Sequence, residues 1–145
     1  MITIGSPPLE TTESYEDVIK EAVEIPLSRE VDNYVCNYLY IFEGFDCDTV
    51  RKPEVYLVRF SSDSLLGVYY PGTNRLLLNR RLRPEYINSV MLHELVHHYG
   101  YVGGLKWGFE LCSTEHMARV VTALYRGEEY SDDWREWYGC QNDQP

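Results

Sequence analysis

His93-Glu94-Leu95-Val96-His97, set inside the apolar run from Val90 to Tyr99, organises this 145-residue chain. Ile87, Met91 and Leu95 lie on one side of the predicted helix and Leu92 and Val96 on another, so the helix is apolar almost all round and belongs in the interior. Residues four apart project from one helix face, so His93 and His97 can offer imidazole nitrogens to a single ion. Glu94 lies about 100° around the helix from His93, placed to act on a water rather than to ligate. A divalent metal lowers the pKa of a bound water toward about 7 and polarises a carbonyl, and a neighbouring carboxylate serves as general base. The spacing therefore points to zinc, with Glu94 as the catalytic residue. His98 turns about 100° away from His97 and reads as a packing or surface residue rather than a ligand.

A catalytic zinc takes three protein ligands and keeps one position open. All 4 histidines lie between residues 93 and 116, and the third ligand is sought downstream among Glu110, Cys112, Glu115 and His116. The pattern H-E-x-x-H-x-x-G-x-x-H is not met, because Gly103 stands where its third His belongs. Glu115 shares a predicted helix face with Leu111, Cys112, Ala118 and Thr122, mostly small residues that let two helices approach closely. His116 turns toward the more apolar arc of Phe109, Val120 and Leu124. Glu115 is thus the leading third ligand, ahead of His116 and Glu110. Arg119, four residues on, is placed either to pair with Glu115 at the surface or to orient it beside the metal.

Outward from this centre, Pro84 suits a first helical position and Gly100 a stop, which predicts a helix from 84 to 99. The last long helix is expected from Trp107 to about Arg126, closed by Gly127. Upstream, Glu54 to Phe60, Leu65 to Tyr70 and Arg75 to Asn79 read as strands, the last two joined by the turn Pro71-Gly-Thr-Asn74. Together they predict a small antiparallel sheet. Ser28 and Gly44 bracket an amphipathic helix, and Ser14 caps a short one running to about Val23. Residues 1–13 read as an extended or poorly ordered lead-in, and Trp134 and Trp137 as side chains folded back on the body. The class is α+β, a single domain over residues 1–145.

Lys and Arg number 13 against 23 Asp and Glu, leaving a net charge of −10. That balance opposes binding to phosphate backbones, so no nucleic-acid partner is expected. Arg75, Arg80, Arg81 and Arg83 form a short basic patch that reads as a solvated face or a salt-bridged surface rather than an anion site. No run approaches the roughly 18 apolar residues a membrane span requires. The acidic amino terminus does not resemble a secretory or transit leader, which predicts an intracellular, cytoplasmic protein with Cys36, Cys47, Cys112 and Cys140 as free thiols. A Cys36–Cys47 pair is the alternative weighed.

Gly67-Val-Tyr-Tyr70, Arg75-Leu-Leu-Leu-Asn79, Met91 to Tyr99 and Leu111 to Arg119 occur in an order that resembles the mitochondrial inner-membrane-associated metallopeptidases that process an ATP-synthase subunit. Glu115-His-Met-Ala118, with Val121 and Leu124, is also similar to the ImmA/IrrE-like metallopeptidases. The resemblance covers about residues 65–126 and departs from the first family at Gly100 to Gly104. It implies a zincin-like fold of gluzincin character, with a small sheet over the H-E-x-x-H helix. The implied zinc ligands are His93, His97 and Glu115, and Glu94 is the implied base. The implied partner is a protein or peptide substrate paired to a sheet edge; Tyr99, Tyr101 and Arg119 are the candidates for stabilising an oxyanion. The rival expectation is a non-catalytic, zinc-stabilised interaction module on the same scaffold. The acidic segment 1–28 is a candidate cover for the cleft.

Overall fold

The computed structural model describes residues 2–4 and 14–140. Its elements run β1 (Ile2–Ile4), α1 (Tyr15–Ile19), β2 (Val23–Ile25), α2 (Arg29–Glu43), β3 (Glu54–Val58), β4 (Gly67–Tyr69), β5 (Arg75–Asn79), α3 (Pro84–Val102), α4 (Leu111–Arg126) and α5 (Trp134–Trp137). Short 3-10 turns at Cys47–Thr49 and Lys106–Phe109 lead into β3 and α4. The class is α+β. No helix among the described residues is long and apolar enough to cross a membrane.

Helix α3 is the axis of the molecule. Every residue from Ser89 to Gly100 is buried, as an all-round apolar sequence requires. It packs against α2, α4 and one face of the sheet, where Val31, Val35 and Leu39 of α2 meet Leu92, Val96 and Tyr99, with Leu76 and Leu78 of β5 completing the core. The alternate residues Val68, Leu77 and Val58 point to the other face, where Val18 of α1 joins them. This is the two-sided use of a pleated strand, with successive side chains pointing to opposite faces.

The five strands are ordered β1-β4-β5-β3-β2. The β4–β5 hairpin is antiparallel, as its turn residues predict, but β3 and β5 run parallel, with Val55 opposite Leu76 and Leu57 opposite Leu78. The sheet is therefore mixed, not antiparallel. β4 returns from the far side and intervenes in sequence between two parallel neighbours. β2 occupies the end of the predicted first helix, which stops at Ile19 and leaves Val23–Ile25 to pair with β3. Residues 5–13 of the expected extended lead-in lie outside the described residues.

Ser14 and Ser28 cap their helices through hydrogen bonds from Asp17 N and Val31 N, and Gly44 and Gly127 close α2 and α4 at positive φ. Gly100 does not stop α3, which continues to a cap at Gly103. The absence of a side chain at Gly100 instead makes room for Trp107, since a Cβ there would lie 2.4 Å from the indole Cζ3. Close approach, not chain reversal, explains this glycine. Trp107 accordingly lies in the preceding 3-10 turn, and α4 starts at Leu111. Trp134 is buried, whereas Trp137 is partly exposed. In the basic patch, Arg75 pairs with Glu54 and Arg81 with Asp63.

The expected free thiols are not found: Cys36 is bonded to Cys47 and Cys112 to Cys140. Neither pair has a CxxC spacing. The fold brings them together by turning α2 back through Phe45 and by laying the carboxyl-terminal segment against the start of α4. The second bridge spans 28 residues, and closing a loop of that order stabilises by about 2–4 kcal/mol. Replacing Cys112 and Cys140 together by Ser should lower unfolding free energy by about that amount in denaturant titrations. Native protein, alkylated without reduction, should show no modified cysteine.

Candidate metal centre

His93 and His97 leave α3 on the face that meets α4, and Glu115 comes from the first half of α4 to meet them. His93 Nε2 and His97 Nε2 each lie 3.1 Å from the same atom, Glu115 Oε1. The three side chains are buried, with Glu115 fully so. One donor atom from each lies within 4.8 Å of the others, and the group could hold a metal ion. Donors about 2.0–2.2 Å from a tetrahedral ion are separated by about 3.4 Å, and the two histidine–glutamate separations of 3.1 Å are near that.

The neighbours fix these donors. His97 Nδ1 lies 2.9 Å from Thr114 Oγ1. An Nδ1–H donated to that hydroxyl leaves the Nε2 lone pair directed at the site. Burial, followed by the proximity of His93, lowers the His97 pKa to about 4 against the pull of Glu115. Arg119 Nε donates to Glu115 Oε2 at 2.5 Å, leaving Oε1 to the histidines. Arg119 is itself held against the Trp134 and Tyr138 rings. Burial alone would raise the Glu115 pKa, but the two histidines override it and hold the carboxyl well below its ordinary value.

Glu94 is the anomaly. It is fully buried, and among the described residues neither carboxylate oxygen has a hydrogen-bond partner; His93 Nδ1 is likewise buried and without a partner among them. Burial first, and Glu115 second, push the Glu94 carboxyl well above its usual range, with Arg119 opposing. An unsatisfied buried polar group costs about 1–3 kcal/mol. Such a cost is unusual inside a well-packed core. A cation at His93, His97 and Glu115 would act against the upward shift, so the residues present fit a metal.

Other candidates are placed elsewhere. Cys112 is in a disulfide, and His116 faces Tyr130 (2.9 Å) and Arg135 (3.0 Å). Glu110 is exposed at the start of α4. The Tyr99 hydroxyl donates to Asp32 at 2.5 Å and accepts from Lys52 at 3.1 Å, toward α2 and away from α4. His98 is a packing residue, its ring edge-on to Tyr69 and its Nε2 3.1 Å from the Arg51 carbonyl. Tyr101 joins Pro71, Glu110 and Thr114 around a cavity of about 250 Å³ on one side of the group. A second cavity of about 220 Å³ is lined by His93, Arg119 and Tyr130. Thr114 was not anticipated from sequence, where only its position next to Glu115 hints at a role.

If Thr114 sets the His97 tautomer, Thr114→Val should weaken zinc binding about 10–100-fold in a chelator competition, with the fold intact by circular dichroism. Unchanged affinity would remove Thr114 from the account.

No family model matches the chain, and neither a curated protein nor a solved structure does.

Proposed function

We propose that the chain is a zinc-dependent metallopeptidase with a zincin-like architecture, in which His93, His97 and Glu115 hold the ion and Glu94 is the general base. The observation that carries this reading is the unpartnered, buried Glu94 carboxylate beside two imidazoles that converge on Glu115 Oε1. Bound zinc supplies Lewis acidity, polarising a substrate carbonyl and acidifying a water.

The remaining chemistry falls to side chains. Glu94, bonded to nothing else, takes a proton from the attacking water and returns it to the departing amine as the C–N bond breaks. Arg119 orients Glu115 through its ion pair. Tyr101, beside Thr114 at the cavity mouth, is the better placed of the two tyrosines to meet a developing oxyanion. The gluzincin character suggested by the resemblance belongs to this proposal. A purely structural site fills its fourth position with protein. The commitment of Cys112 to Cys140 and of His116 to Tyr130 and Arg135 counts against that alternative. An intracellular location would keep thiols reduced; the two disulfides support an oxidising compartment instead.

Glu94→Gln is nearly isosteric and leaves the ligands in place. It should retain about one zinc per chain while losing peptidase activity on a mixture of fluorogenic peptides by about 100-fold or more. Zinc retention with full activity would remove Glu94 from the base role.

A further inference from the structure

The three residues Ile2–Ile4 form the outermost strand of the sheet, antiparallel to β4, with Ile2 opposite Tyr69, Thr3 opposite Val68 and Ile4 opposite Gly67. Among the described residues no other strand lies on that side of β4. The same three residues also lie against α3, the helix that carries His93, Glu94 and His97. β1 therefore occupies the place between a sheet edge and the site helix. An extended peptide added to the sheet would have to lie there, since an edge strand offers unpaired N–H and C=O groups to any extended chain.

Two features separate β1 from an ordinary structural strand. It is only three residues long, so its backbone bonds, each worth about 0.5–1.5 kcal/mol net, hold it weakly. It is joined to Ser14 through Gly5-Ser-Pro-Pro-Leu-Glu-Thr-Thr-Glu13, a segment with no helical or strand periodicity. β4 is tied to the site from its other side, because the Tyr69 ring packs on His98 and on Tyr101.

We propose that Ile2-Thr3-Ile4 is the resident occupant of the outer edge of β4, on the sheet edge where the resemblance implies that a peptide pairs, and must leave before a substrate can pair there. The sequence of the occupant names the class of ligand: a short extended segment rich in β-branched residues, held through its backbone. This rests on the peptidase reading for its purpose but not for its test, which reads binding without turnover.

The probe is a fluorescent peptide, Met-Ile-Thr-Ile-Gly-Ser-Pro-Pro, titrated by polarisation into the Glu94→Gln chain, into the same chain begun at Gly5, and into the full-length chain carrying Thr3→Pro. The shortened chain and the Thr3→Pro chain should each bind the peptide at least tenfold more tightly than the full-length parent. A control peptide with Pro in place of its Thr should not bind. Amide exchange should show β4 deprotected in both variants and protected again when peptide is added. Equal affinity in all three chains, or no binding to a folded variant, would overturn the proposal. If removal of residues 1–4 unfolds the chain, the Thr3→Pro protein alone decides by the same criteria. Absence of peptidase activity with Glu94 intact would count against hydrolysis and leave this binding result standing.

Discussion

The contact between α3 and α4 at Glu115 governs the rest of the structure. Two imidazoles and a carboxylate are expensive to bury unless they satisfy one another. They do so only if α4 lies close along α3, in register to within one residue. Ala118 and Thr114 on the α4 face permit that approach, and Arg119 completes the charge pairing from the rim. The turn before α4 is fixed by Gly100 and Gly108, whose backbones meet so closely that a Cβ on Gly108 would lie 2.0 Å from the Gly100 carbonyl oxygen. The disulfide at Cys112 anchors the same end of α4. Devices of three kinds thus converge on the placement of one carboxylate.

Much of this was legible in the sequence because it depends on local rules. Ser28 and Gly44 marked α2 through capping, which acts within one turn. The four-residue spacing of His93 and His97 fixed a shared helix face, and the small residues around Glu115 singled it out as the residue able to approach. What was hidden depends on long-range pairing. Nothing in Glu54–Val58 or Arg75–Asn79 shows that they run parallel, because the crossover that makes them so passes through β4. Val23–Ile25 is too short to declare itself a strand without β3 beside it. Gly100 was misread for a related reason: as a helix stop it obeys a local rule, but its role is set by an indole seven residues downstream. The cysteine pairs depend on chain reversals that spacing alone does not reveal.

The same contrast describes the site. Its ligands are separated by helical geometry and could be read, whereas Thr114, which orients His97, and the commitment of Tyr99 to Asp32 and Lys52 emerge only from packing. The mixed sheet adds a further consequence. By placing β4 outside β5, it brings β4 to the site helix, and Ile2–Ile4 pairs along the outer side of β4.

The central claim is that His93, His97 and Glu115 form a three-ligand zinc centre with an open position. X-ray absorption at the zinc edge of zinc-loaded protein tests it most directly. The account predicts a first shell of nitrogen and oxygen alone at about 2.0–2.1 Å, including two imidazoles, with the signal lost in Glu115→Ala. A sulfur scatterer at about 2.3 Å, or a zinc environment unchanged by Glu115→Ala, would contradict it.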